Sequence, residues 1–165
     1  MIFVTVGAQM SFDRLVGWMD DWAERRDRGD VIAQIGPSDY APRRLRVVPF
    51  MTPPEFRDRL VEAEIVVSHA GMGSIINALE LGKPILVVPR HGDLGETRND
   101  HQVATARRFS AEGLVRMADS PQELDRGLET LIREGAEARI AAEAQPELLA
   151  RMRAFATGPR GSQAP

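Results

Sequence analysis

Residues Ile65-Val66-Val67-Ser68-His69-Ala70-Gly71-Met72-Gly73-Ser74-Ile75-Ile76-Asn77-Ala78-Leu79-Glu80-Leu81-Gly82-Lys83-Pro84-Ile85-Leu86-Val87-Val88-Pro89 decide the fold. Ile65, Val66 and Val67 form a β-branched run that suits a parallel strand covered on both faces. Ser68 to Gly73 is too slim to fill a core and suits close backbone approach. Ser74 belongs to a helix's first turn, and Ile75, Ile76 and Leu79 recur at helical spacing. Gly82 stops that helix, Lys83 sits at its negative end, and Pro84 opens a second strand over residues 85–88. A strand, a glycine-containing turn and a helix start aim bare N–H groups at one spot, which suits a phosphate. Gly71 and Gly73 equally suit a tight strand-to-helix turn without a ligand, and pattern alone leaves both readings open.

The same rhythm extends both ways. Residues 2–6 read as a strand, Gly7-Ala8-Gln9 as a short loop, and Phe12, Leu15, Val16 and Met19 as a helix face behind Asp13. Strands follow at 31–35 and 45–49, then a helix opened by Thr52-Pro53-Pro54-Glu55 with Phe56, Leu60 and Val61 inward. Beyond Pro89 a polar loop runs from Arg90 to Gln102, where long loops carry function and open α/β sheets bind ligands. A helix over about 99–110 buries Val103, Ala106 and Phe109, a strand follows at 113–117, and Ser120 caps a helix over 121–132. The expected architecture is α/β: a Rossmann-like, doubly wound parallel sheet of about six strands over residues 1–134. A weakly amphipathic helix at 135–156 and a disordered tail at 157–165 complete the expectation.

Composition narrows the partners. The 165 residues carry a formal net charge of −3, which gives no basic face for nucleic acid. With no cysteine, disulfides and thiolate metal sites are excluded. No signal peptide or membrane-length apolar run is present, so the expected location is cytoplasmic. His91, Asp93, Glu96 and His101 are acceptable ligand types, but their spacing matches no standard metal set, and no metal or cofactor is expected.

Taken together, Met1 to Gly7, Phe12-Asp13-Arg14-Leu15, Ser68 to Ser74, Leu79-Glu80-Leu81-Gly82-Lys83-Pro84 and Asn99-Asp100-His101-Gln102 resemble the family 28 glycosyltransferases. The resemblance covers roughly residues 1–132 and points to the C-terminal, nucleotide-sugar-binding half of a GT-B enzyme. It is nearest to stand-alone donor-binding subunits, those of eukaryotic dolichol-linked GlcNAc transfer and bacterial exopolysaccharide or capsule synthesis. The loop Pro89-Arg90…Gly95-Glu96-Thr97-Arg98-Asn99-Asp100-His101-Gln102 carries the latter likeness.

The resemblance implies a UDP-sugar donor, a membrane-anchored partner supplying the acceptor-binding half, a lipid-linked saccharide acceptor and peripheral association with the inner membrane. It also implies site residues. Ser68, His69, Ala70, Gly71, Met72, Gly73 and Ser74 would hold the diphosphate, His69 adding a donor or partial positive charge, or else only tying the loop to the sheet. Asn77 stands where many relatives carry a ribose-binding glutamate, with Glu80 nearby. Phe50 and Met51 fall at the uracil-reading segment, or belong to the core, and Gly7, Ala8 and Gln9 face the cleft. Asn99, Asp100 and Gln102 match sugar-hydroxyl contacts, with Asn99 or Asp100 also able to cap a helix. Arg90 and Arg98 would read a donor carboxylate such as glucuronate, or pair with Asp93 or Glu96. His69 is the one weak catalytic candidate, so the base of an inverting transfer is expected on the partner. A non-catalytic nucleotide-sugar-binding or assembly subunit is the alternative reading.

Overall fold

The computed structural model describes residues 1–98, 101–134 and Ala150. The expected 135–156 helix and 157–165 tail, and the site residues Asn99 and Asp100, lie outside the described residues. In chain order the elements are β1 (Ile2–Thr5), α1 (Asp13–Arg25), β2 (Val31–Gln34), β3 (Arg46–Val48), α2 (Pro53–Glu62), β4 (Ile65–His69), α3 (Met72–Glu80), β5 (Ile85–Val88), α4 (His101–Ala111), β6 (Arg116–Met117) and α5 (Pro121–Glu134). The six strands lie in the order β3-β2-β1-β4-β5-β6, every pair parallel. This is the doubly wound arrangement expected above.

The strands' alternation splits the core. Ile2 and Val4 of β1 and Ile65 and Val67 of β4 pack with Leu15, Met19 and Trp22 of α1 and Leu124 and Leu128 of α5. Phe3 and Val66 point the other way, onto Leu60 of α2, Ile75 and Leu79 of α3, and Phe109 of α4. Both sheet faces are thus covered, which is why the central strands read as continuous apolar runs.

Local signals set the helix ends. Thr52 and Glu55 form the capping box at α2, with proline in its first turn. Gly82, at φ +59°, ends α3, with its N–H donating to Leu79 O and that of Lys83 to Ala78 O. The ammonium of Lys83 corrects the expectation for it: Nζ donates to the carbonyls of Val61 and Ala63. It caps the end of α2 rather than α3. Ser74 stands in the first turn of α3, as expected, with Gly71 as the N-cap.

Candidate functional site

Strand order reverses between β1 and β4, so the connections leave these neighbours toward opposite faces and a crevice opens beyond their carboxyl ends. Two loops meet there. Gly7 holds φ +82°, a conformation that side chains disfavour, and donates its N–H to Thr5 Oγ1. A Cβ on Gly7 would lie 2.9 Å from Cε1 of His69, and one on Gly71 would lie 2.2 Å from its Nε2. The imidazole is therefore a wedge between the β1–α1 loop and the β4–α3 turn. Burial and the nearby Arg90 cation push its pKa down to about 4, against the opposing pull of the Thr5 backbone. His69 is neutral at pH 7, so of the roles expected for it a full cationic charge is set aside, and a neutral N–H donor or a tie between the loops stays open.

The ring accounts for Gly71 on steric grounds alone. Gly71→Ala must displace the imidazole, and is expected to cost ~1–3 kcal/mol of unfolding free energy in urea denaturation.

The start of α3 has a different character. No side chain caps it among the described residues, and its first internal bond runs from Ile75 N–H to Gly71 O at 3.1 Å. The N–H groups of Met72, Gly73 and Ser74 thus precede the helical ladder at the positive end of the helix. Gly73 is exposed, and a Cβ there would meet nothing within 4 Å. Asn77 and Glu80 continue its exposed face at one-turn spacing. Ala70, Ser68 and Ser74 are buried, and the Ser68 hydroxyl donates to His69 O at 2.8 Å. Within 68–74, then, Gly73 is the exposed position, and the Ser68 hydroxyl is committed to a neighbouring carbonyl.

Phe50 is 56% exposed just past the edge strand β3, while Met51 is half-buried against the α2–α4 side of the core. β3 stands at the sheet edge, with β2 between it and β1. Phe50 is corrected as a core candidate.

The β5–α4 loop is knitted from within. Arg90 is 4% exposed and donates to the carbonyls of Val6, Met10, Ser11 and Glu96 at 2.6–3.3 Å, with its guanidinium 4.5 Å from the Phe12 ring centre. Its fork is occupied by main chain, which corrects the expectation that Arg90 reads a sugar carboxylate. Arg98 is exposed. The carboxylate of Glu96 takes two bonds from Arg14, at 2.7 and 2.8 Å, and one from His91 N–H at 3.0 Å. Burial raises the Glu96 pKa, but these bonds more than offset it and the group is held below its ordinary value. Gln102 Oε1 accepts the Arg90 N–H at 3.3 Å. Of the weighed metal ligands, Glu96 faces Arg14, and His91 faces Asp119 at 2.6 Å. No group of three or more such side chains is arranged around one point among the described residues.

The model of the glycosyltransferase family 28 C-terminal domain matches residues 1–155. The chain belongs to that family. This family 28 domain is 34% identical over 121 residues to the mouse (Mus musculus) UDP-N-acetylglucosamine transferase subunit ALG13, and 33% identical over 122 residues to the Homo sapiens protein. Those matches take in 67% and 68% of the domain but only 10% of either relative, so the chain spans about a tenth of the length of the curated relatives it matches. Among solved structures, the kitacinnamycin glycotransferase is similar at TM-score 0.65 and 20% identity, over 94% of this chain and 40% of that one. Acinetobacter baumannii MurG follows at 0.63 and 18%, over 92% and 49%. The solution structure of ALG13 is similar at 0.57 and 21%, over 81% and 86%. These likenesses show the fold, a GT-B half-domain.

Sequence reasoning about this family 28 domain missed Arg14. Its partner lies 82 residues away, so no local spacing marks the pair. The nearest signal is Trp18, four positions along the same helix, on which the Arg14 guanidinium stacks at 4.7 Å.

Proposed function

We propose that this domain is the donor-binding part of a two-chain UDP-sugar glycosyltransferase, paired with a membrane-anchored subunit that holds a lipid-linked saccharide acceptor. The observation that carries the reading is the uncapped start of α3, with its exposed Gly73, beside the β1–β4 crevice. Two curated relatives bear the name of a UDP-N-acetylglucosamine transferase subunit, which supports both a UDP-sugar and a partner. No helix among the described residues is long and apolar enough to cross a membrane, consistent with attachment through that partner. The loop from Pro89 to Gln102 favours a role in exopolysaccharide or capsule synthesis.

In an inverting transfer the acceptor oxygen bonds to the anomeric carbon as the bond to the diphosphate breaks. Negative charge moves onto departing UDP, where the N–H groups of Met72 to Ser74 and the helix dipole stabilise it. A base must take the acceptor proton. His69 does not suit that work, because a ring whose pKa is pushed down to about 4 is a weak base at pH 7, so the partner supplies the base. The domain alone is then expected to bind UDP without turnover, and transfer to appear only with the co-expressed membrane partner. Calorimetry and a UDP-sugar panel test this; failure to bind UDP would end the proposal.

With Arg90 committed to main chain, Arg98 is the loop arginine left to recognise a donor carboxylate. Arg98→Ala is expected to weaken UDP-glucuronate binding about tenfold and UDP-glucose less than about twofold, since only the former supplies a charge-assisted pair. Equal losses would remove glucuronate as the donor.

A further inference from the structure

We infer that Arg14, Arg90 and Glu96 tie the β1–α1 and β5–α4 loops into one rigid body, and that they act as positioning residues for the donor's sugar rather than as its ligands. The inference rests on the donor-binding reading above.

Arg90 reaches out of the β5–α4 loop and fills the hollow of the β1–α1 loop with bonds to Val6, Met10 and Ser11. Arg14 reaches the opposite way, from the start of α1, to Glu96 and to the Pro89 carbonyl at 2.8 Å. Both guanidiniums lie over the Phe12 ring, with its centre 5.2 Å from the Arg14 guanidinium carbon and 4.5 Å from that of Arg90. The β5–α4 loop thus sends an arginine into the β1–α1 loop, the first turn of α1 sends one back, and both guanidiniums lie against Phe12. The side chains of Arg14 and Glu96 are 18% and 13% exposed, so solvent screens the pair far less than a surface bridge. Both donor atoms of Arg14 on Glu96 and both terminal nitrogens of Arg90 are used, a fork geometry that lysine cannot reproduce.

The functional consequence follows from what each loop faces. The α3 start, where the diphosphate is proposed to sit, makes none of these contacts. The donor reading above gives Arg98 the donor's carboxylate, so on that reading the knotted loop, which carries Arg98, is the one that meets the sugar. Loosening the knot should therefore penalise the sugar more than the nucleotide, because the diphosphate turn meets the knotted loops only through the His69 ring, while Arg98 is carried by one of them.

Glu96→Gln and Arg14→Met test this in the full chain, with UDP and UDP-N-acetylglucosamine as probes in calorimetry. The expected result is a UDP dissociation constant within about twofold of wild type and a UDP-N-acetylglucosamine-to-UDP affinity ratio lowered about fivefold. Ligand-free hydrogen–deuterium exchange should rise together in residues 7–12 and 90–98 of either variant. An unchanged ratio, an equal loss for both ligands, or faster exchange confined to the loop carrying the substitution would overturn the inference. A wild-type chain that binds neither ligand would overturn the donor reading instead, and the exchange measurement would still judge the knot.

Discussion

Gly73→Val is expected to weaken UDP binding by at least about tenfold while leaving the melting temperature within ~3 °C of wild type. The two halves of that result have separate causes. A Cβ at this position meets nothing within 4 Å, the residue is exposed, and it lies inside the first turn of α3. Valine therefore finds no clash in the folded chain, and its helix propensity is no worse than that of glycine. The diphosphate is different: to reach the N–H groups of Met72, Gly73 and Ser74 it must pass within contact of the Gly73 Cα, where two branched methyl groups would stand. Gly73→Ala should give an intermediate loss together with a gain of ~0.5–1 kcal/mol in stability. Titration beside a melting curve separates the two, and full UDP affinity in the valine variant would remove the phosphate from this helix end.

Gly71 and Gly73 show how far sequence could lead. Both read as small residues in one turn, and nothing local separates them. In the structure their causes are opposite: Gly71 is required by the imidazole beside it, Gly73 by nothing in the chain. The strands, helices and parallel layering were legible because burial on two faces and helical spacing are written in consecutive residues. So was the Thr52–Glu55 cap, whose partners are three residues apart. Arg90 was not legible. Three of its four carbonyl acceptors lie 79 to 84 residues earlier, and an arginine in a polar loop reads as a ligand until the fold turns it inward. Lys83 misled in the same manner, since its position after Gly82 suggested α3 while its ammonium serves α2.

The wedge at the crevice also predicts how the protein meets acid. His69 has a folded-state pKa of about 4 against 6.5 in an open chain, so between these values the unfolded state binds the proton more readily. The stability contributed by the neutral ring is complete above pH 6.5, declines as pH falls, and is gone below 4. Integrated from pH 7 to 5, that loss comes to about 2 kcal/mol. Asp20, Asp30 and Glu96 are held below ordinary carboxylate values, so their contributions are lost only as pH falls through the carboxylate range. The interval from pH 7 to 5 is therefore where His69 can be read with least interference. Urea unfolding of wild type and His69→Gln across this interval should show a steeper pH dependence in wild type, with the difference between the two curves close to the figure above. Parallel curves would mean that the ring titrates as if in water and does not wedge the two loops apart. Since the ring stays neutral over the same interval, its protonation should also contribute no pH dependence to UDP affinity, a result opposite to that expected of a histidine serving as a cationic phosphate ligand.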